Sequence, residues 1–273
     1  MRVNITLLAQ IIKQLDRSIF NDLVQKHSSD KFNKGFDSWT HLMSMLFCHF
    51  TKSSSVRDIS NGLRSATGNL NHLCVVTAPS KSSISYQNAR RDSDLFKDFY
   101  YAILNHLGQY LKIPRKKLRI KAPIHLLDFS TISLCLSLLN WALFRTKKRV
   151  AKMHTLLDYD GGLPVYVNIT NGKTGDNKGA YGIAVLKGTV IVADRYYNDF
   201  PMLNVWDSKE AFFVVRHKDN LKYEQIKEFE LSSKGKQHML IDQEIKLSNK
   251  DSQKKYPKNL RRVAVWDEKI SRL

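Results

Sequence analysis

The stretch Thr189-Val190-Ile191-Val192-Ala193-Asp194-Arg195-Tyr196-Tyr197-Asn198-Asp199 decides how this chain is read. Val190, Ile191 and Val192 are β-branched, and with Ala193 they make a short apolar run of the kind buried inside a sheet. The run ends on a carboxylate. A second stretch, His125-Leu126-Leu127-Asp128-Phe129-Ser130-Thr131, has the same shape and ends its apolar part on Asp128. A carboxylate at the mouth of a buried strand is costly unless its charge is compensated. A divalent cation shared by two such groups compensates it. Two plainer readings stand beside this one. Asp128 can be a strand-end acid that meets a lysine or caps a turn, and Asp194 can form an ion pair with Arg195.

Working outward, residues 124–134, 150–157 and 164–170 read as strands, with Asp160-Gly161-Gly162 as the turn between the last two. A helix is expected over 177–185, ahead of the apolar strand 189–194. The order β-β-β-α-β gives a mixed sheet with helices packed on it. A helix at 201–209 and a strand at 211–217 follow. Three polar-alternating, lysine-rich runs (226–231, 238–247 and 260–266) suit an antiparallel sheet open to solvent on one side.

Upstream, to about Leu118, the chain reads as helical. Leu7, Leu8, Ile11, Ile12 and Leu15 share one helical face. Asp37 or Ser38 can cap a helix through Trp39, Leu42, Leu46 and Phe50. Ser53-Ser54-Ser55 precede a short helix expected to end at Gly62. Serines at 80–85 precede a helix that carries Asn88, Arg90 and Arg91. Such a helix start suits docking against DNA, and it is equally ordinary N-cap chemistry. A basic, proline-punctuated linker covers 113–121. The fold class expected is α+β or mixed α/β, divided into residues 1–118, 119–218 and 219–273.

Charge points to the partner. Forty-four Lys and Arg against 25 Asp and Glu give +19 over 273 residues. That excess favours a polyanion, with nucleic acid ahead of an anionic membrane surface. Cys48, Cys74 and Cys135 are scattered and read as small core residues of a reducing compartment. The longest apolar stretch is too short to span a bilayer, and the N-terminus lacks a signal-peptide pattern. A cytoplasmic location with no membrane partner is expected.

In order and spacing, the motifs of the chain resemble those of DDE-type insertion-sequence transposases, specifically insertion sequence family 4. The resemblance rests on Phe36-Asp37-Ser38-Trp39-Thr40-His41-Leu42, Ser55-Val56-Arg57-Asp58-Ile59, Asp128-Phe129-Ser130-Thr131-Ile132, Lys152-Met153-His154-Thr155-Leu156-Leu157-Asp158, Gly172-Lys173-Thr174-Gly175-Asp176 and Asp194-Arg195-Tyr196-Tyr197-Asn198-Asp199. It implies a helical N-terminal DNA-binding region, a ribonuclease-H-like core and a β-rich insertion. It also implies that Asp128 and Asp194 are catalytic metal ligands for Mg²⁺ or Mn²⁺. The substrate implied is double-stranded DNA at element ends and targets, cut and joined by phosphoryl transfer, with a homo-oligomer forming on the DNA. Candidate DNA contacts are Arg90, Arg91, Arg145, Lys147, Lys148, Arg149, Lys152 and Arg195; a solvated surface is the alternative for each.

Two departures from the family pattern matter. Tyr196 stands where the family commonly has glycine. The family's third carboxylate, a glutamate in a Tyr-x-x-Arg-x-x-x-Glu-x-x-x-x-x-x-Lys pattern, is absent, so the chain is expected to be truncated ahead of it and inactive alone. Glu244, Asp267 and Glu268 read as surface charges of the insertion rather than substitutes. The alternatives are a catalytically dead DNA-binding regulator of transposition and a non-specific basic nuclease.

Overall fold

The computed structural model describes residues 5–66, 70–110, 120–133, 150–171, 179–231 and 239–266. The first part is helical: α1 (Ile5–Ile12), α2 (Arg17–Lys26), α3 (Ser38–Thr51), α4 (Val56–Ser65), a 3-10 turn at Leu70–Leu73, α5 (Lys81–Arg90) and α6 (Asp94–Tyr110). The capping residues expected from sequence do start these helices. The carboxylate of Asp37 accepts from the Thr40 N–H at 2.7 Å. Ser55 and Ser80 hydroxyls accept from the N–H groups of Asp58 and Ser83, both at 3.1 Å. Each bond satisfies one donor that the first helical turn would leave orphaned.

The helices enclose one aromatic core. Phe20 is fully buried and meets Trp39 and Phe99 edge-on, with ring centroids 5.3 and 4.8 Å away. The Trp39 indole N–H donates to the Leu73 carbonyl at 2.9 Å, so its polar tip is satisfied inside the core. Helix α4 does not stop at Gly62 as expected; it runs to Ser65. The glycine is there for packing, because a Cβ at 62 would lie 2.7 Å from the Phe47 ring. Cys48 is buried as expected, but Cys74 is exposed on a backbone with φ of 54°. Cys135 lies outside the described residues.

His41 is packed between the rings of Phe36 and Phe96, each 5.5 Å away. Burial, reinforced by the nearby Arg91 charge, pushes its pKa down to about 4. The unfolded chain binds this proton near pH 6.5 and the folded chain does not. Stability from the neutral ring is therefore complete above about pH 6.5 and is lost as pH falls towards 4. The loss should be on the order of 3 kcal/mol across that window. The depressed carboxylates Asp98 and Asp242 titrate below it, so they do not mask the effect. Thermal melts at pH 7 and pH 4.5 should show the drop in the native chain, and His41→Phe should remove most of it. An equal drop in both proteins would assign the sensitivity elsewhere.

The central sheet contains β1 (Ile124–Ser133), β2 (Val150–Asp158), β3 (Pro164–Asn171), β4 (Val190–Ala193) and β5 (Phe212–Val215). Its order is β3-β2-β1-β4-β5. β1–β2 and β2–β3 are antiparallel, and β1–β4 and β4–β5 are parallel. This is the mixed, ribonuclease-H-like sheet the sequence implied. On one face Leu127, Leu156, Ile191 and Ala193 are buried beneath α7 (Phe200–Ser208), which contributes Met202, Leu203 and Trp206. On the other face Phe212 and Val214 are 63% and 59% exposed. The helix expected over 177–185 is not formed at its C-terminal end: residues 181–182 turn and 183–186 are irregular. Ala180, in the helical piece, and Ile183, in the irregular segment after it, both plug the core.

A second, antiparallel sheet of order β6-β7-β8 holds β6 (Tyr223–Glu228), β7 (Met239–Leu247) and β8 (Leu260–Val265). Strand β6 lies three residues ahead of the expected run, with a register shift between Gln225 and Lys227. A short helix, α8 (Lys250–Lys255), joins β7 to β8. No helix among the described residues is long and apolar enough to cross a membrane.

Candidate active site

The parallel pairing of β1 with β4 sets Leu127 beside Ala193. One residue further along each strand are Asp128 and Asp194. Asp194 lies just past the end of β4, and Asp128 lies in the middle of β1, where its pairing with β4 stops; neighbouring strands are about 4.8 Å apart. Side chains alternate across a strand, so Asp128 follows Leu126, and Asp194 follows Val192, onto the face opposite α7. Both carboxylates are exposed. The desolvation cost first argued for them therefore does not arise: the strands are buried on their other face, and the acids look outward.

The two are held differently. The Phe129 N–H donates to the Asp128 carboxylate at 2.8 Å. Asp194 stands at the N-cap position of a 3-10 turn, Arg195–Tyr197, but its side chain makes no capping bond. The turn is pinned from below. Tyr197 is fully buried, and its hydroxyl lies 3.3 Å from Nδ1 of the equally buried His154. The other ring nitrogen of His154 is 3.0 Å from the Thr170 hydroxyl. His154 is thus a structural histidine. Through Tyr197 it fixes the turn that aims Asp194.

Gly179 completes this support. A Cβ there would fall 2.2 Å from the His154 ring, and the Gly179 carbonyl accepts from the Asn168 side-chain amide at 3.0 Å. Gly179→Ala should therefore destabilise the fold by about 1–3 kcal/mol, through displacement of the ring. Urea melts of the two proteins would show a shifted midpoint at unchanged slope; an unshifted midpoint would mean the ring moves freely.

Tyr196 keeps ordinary negative-φ backbone, so the position does not use glycine's conformational freedom. Its ring is 56% exposed and stands edge-on to Phe129, 6.5 Å away. Cations gather on this aromatic pair: Lys152 sits 5.4 Å over the Phe129 ring and Arg195 5.8 Å over Tyr196. Arg195 also reaches Asp219 at 3.6 Å, and not Asp194 as the structural reading had it. Asp199 caps α7 by accepting from the Met202 N–H at 3.1 Å, and takes the Tyr181 hydroxyl at 2.7 Å. That hydrogen bond holds the Tyr181 phenol pKa up to about 12. Glu244 accepts from Asn259 at 2.7 Å on the surface of the insertion. Asp267, Glu268, Gly172–Asp176, Arg145, Lys147, Lys148 and Arg149 lie outside the described residues. No group of three or more His, Cys, Asp or Glu converges among the described residues.

The two arginines at the end of α5, Arg90 in its last turn and Arg91 at its C-cap, part company. Arg90 is exposed and stacks over Tyr86, 4.7 Å from the ring centroid. The Arg91 side chain is only 2% exposed and pairs with Asp30 at 3.1 Å. It also donates to the carbonyls of Phe36 and Asp37 at 2.9 and 3.2 Å. Arg91 is an internal clamp. Sequence reasoning missed a basic groove of about 340 Å³ where α4 and α5 begin, lined by Ser55, Arg57, Lys81 and Ser85. The paired serine caps were its only signal.

Residues 121–270 match the model of the transposase DDE domain, and residues 3–75 match a domain of unknown function. The chain is 27% identical over 190 residues to a protein of Sinorhizobium fredii designated a transposase; the match covers 69% of this chain and 51% of that protein. It is 29% identical over 114 residues to a protein of Geobacillus stearothermophilus designated a transposase for insertion sequence element IS5377, covering 41% of this chain and 30% of the relative. The chain therefore spans about half, or less, of the length of these curated relatives. No solved structure matches it. Strand order, the paired aspartates and a domain match over more than half its length agree: the chain belongs to the transposase DDE domain family.

Proposed function

We propose that this chain processes the DNA ends of an insertion sequence by divalent-metal-dependent phosphoryl transfer, with Asp128 and Asp194 holding the ion. The observation that carries the reading is the register of β1 against β4, which sets two outward-facing carboxylates on neighbouring strands, each one residue past the Leu127–Ala193 pair. They fit Mg²⁺ or Mn²⁺: both are hard oxygen donors, both are solvent-accessible, and Asp194 spends no lone pair on its helical turn. Transposases of this family work with divalent metals, which polarise the scissile phosphate and activate the attacking hydroxyl. The chain's own residues position the substrate. Arg195 follows Asp194 directly and Lys152 lies over the ring of Phe129, the residue after Asp128; both, with the basic run at residues 145–149, are phosphate contacts in this reading. Arg90, Arg57 and Lys81 form a docking surface for double-stranded DNA on the helical region, residues 1–118. Residues 119–218 then form the catalytic core and 219–273 the insertion, with two or more copies assembling on DNA.

A non-catalytic, DNA-binding regulator of transposition is the second reading. It is favoured by one observation: no third His, Cys, Asp or Glu joins the pair among the described residues. Competition of labelled element-end duplex against random duplex, followed by assay for Mg²⁺-dependent strand cleavage, separates the two. Preference for ends with cleavage supports the enzyme, and preference without cleavage supports the regulator. No preference for ends overturns both.

A further inference from the structure

A second groove, of about 460 Å³, opens where the catalytic sheet meets the insertion. Its walls come from three places: the start of α7 (Asn198, Pro201), the turn after β5 (Lys218, Lys222) and α8 with its cap (Asn249, Lys255). Lys222 and Lys255 are exposed and form no ion pair among the described residues. Lys218 donates to the Asn198 carbonyl at 3.2 Å, which ties the turn to the end of the 3-10 turn that begins at Asp194. The one acid in the lining, Asp199, has its carboxylate occupied by Met202 and Tyr181. The groove is therefore net cationic, and amide side chains add neutral donors.

It is also rigid. Tyr256, just past α8, is buried and meets Phe213 of β5 edge-on at 6.0 Å. Leu247 is buried in the same core, and Lys258 pairs with Asp207 of α7 at 2.5 Å. The Ser248 N–H donates to the Lys222 carbonyl at 3.1 Å, so the wall carrying Lys222 is fastened to the end of β7. A groove built in advance holds a ligand without the cost of ordering its own walls.

We propose that this groove holds the phosphate backbone of a DNA strand where it leaves the Asp128–Asp194 pair. The groove lies past the C-terminal ends of β4 and β5, the end at which Asp194 follows β4, and Asn198 is only four residues past Asp194. A strand crossing that end meets Lys218, Lys222 and Lys255 in turn. This inference rests on the DNA-processing reading above.

The test is the salt dependence of binding by the whole chain to a fluorescein-labelled duplex of arbitrary sequence. Each lysine that neutralises a phosphate contributes about 0.9 to the slope of log K against log salt. Lys222→Gln/Lys255→Gln should lower that slope by about 1.8 and so weaken binding about sixtyfold near 0.1 M salt relative to 1 M. The control, Lys187→Gln/Lys227→Gln, removes the same charge from the same half of the molecule outside the groove. It should leave the slope within about 0.5 of the native value. All four lysines are at the surface, so unchanged melting temperatures are expected and are measured alongside. Equal loss in both double variants, or no loss in the first, overturns the groove while leaving the transposase reading intact. A native chain that binds no duplex overturns the transposase reading itself.

Discussion

Asp194→Asn should abolish measurable Mn²⁺ binding and leave the fold as stable as before. The carboxylate is exposed and makes no capping bond, so the amide loses nothing that holds the turn. A surface change of this kind stays within about 0.5 kcal/mol. For the ion the change is severe, because one of the two anionic donors becomes neutral. Disturbing a residue behind a metal ligand already costs roughly 10–100-fold in affinity, and removing a ligand costs more. A titration of Mn²⁺ followed by electron paramagnetic resonance should show affinity reduced by about a hundredfold or more. Asp128→Asn should match it. Asp219→Asn, which removes an acid that pairs with Arg195, should not. Native-like Mn²⁺ affinity in Asp194→Asn would place the metal elsewhere.

Arg91→Ala should cost about 3 kcal/mol of stability, while Arg90→Ala should cost almost none and weaken DNA binding. Breaking one side of a buried pair costs about 3–5 kcal/mol, since the partner is left uncompensated. Asp30 is 27% exposed and regains some water, which places the loss at the lower end. The Asp30 carboxylate also accepts from the Ser38 N–H and hydroxyl, both at 2.8 Å, so the entrance to α3 loosens with it. Arg90, in contrast, touches only Tyr86 on its own helix. Chemical denaturation of the two variants measures the difference. Equal, small losses would return Arg91 to the surface and to the set of DNA contacts.

These paired arginines show where the sequence could be read and where it could not. Adjacent basic residues at a helix end look alike in one dimension; their fates differ because one faces the 30–38 segment and its carbonyls. Caps were legible because Asp37, Ser55 and Ser80 act on donors three residues away. Strand β4 was legible because Val190-Ile191-Val192 leaves little choice but a sheet. Helix α8 was not, since Lys-Asp-Ser-Gln-Lys-Lys has no apolar face and depends on the Asn249 cap. The helix expected over 177–185 is present at 179–180 but stops there: residues 181–182 turn, and a Cβ at Gly182 would lie 2.8 Å from the Tyr166 hydroxyl. The carboxylate pair was legible as two acids that close apolar runs, although β1 continues past Asp128 to Ser133. That they look away from the core depended on pairing register, which no single strand contains.

The strand order has a consequence in time. Asp128 and Asp194 are neighbours in space, yet a ribosome makes the second about 66 residues after the first. At roughly 5–20 residues per second, this is an interval of about 3–13 s. During it β1 can pair with β2, but its other edge waits for β4. The α4 and α5 surface can already be formed while the carboxylate pair does not yet exist. On the function proposed above, DNA docking would thus become possible before DNA cutting during synthesis.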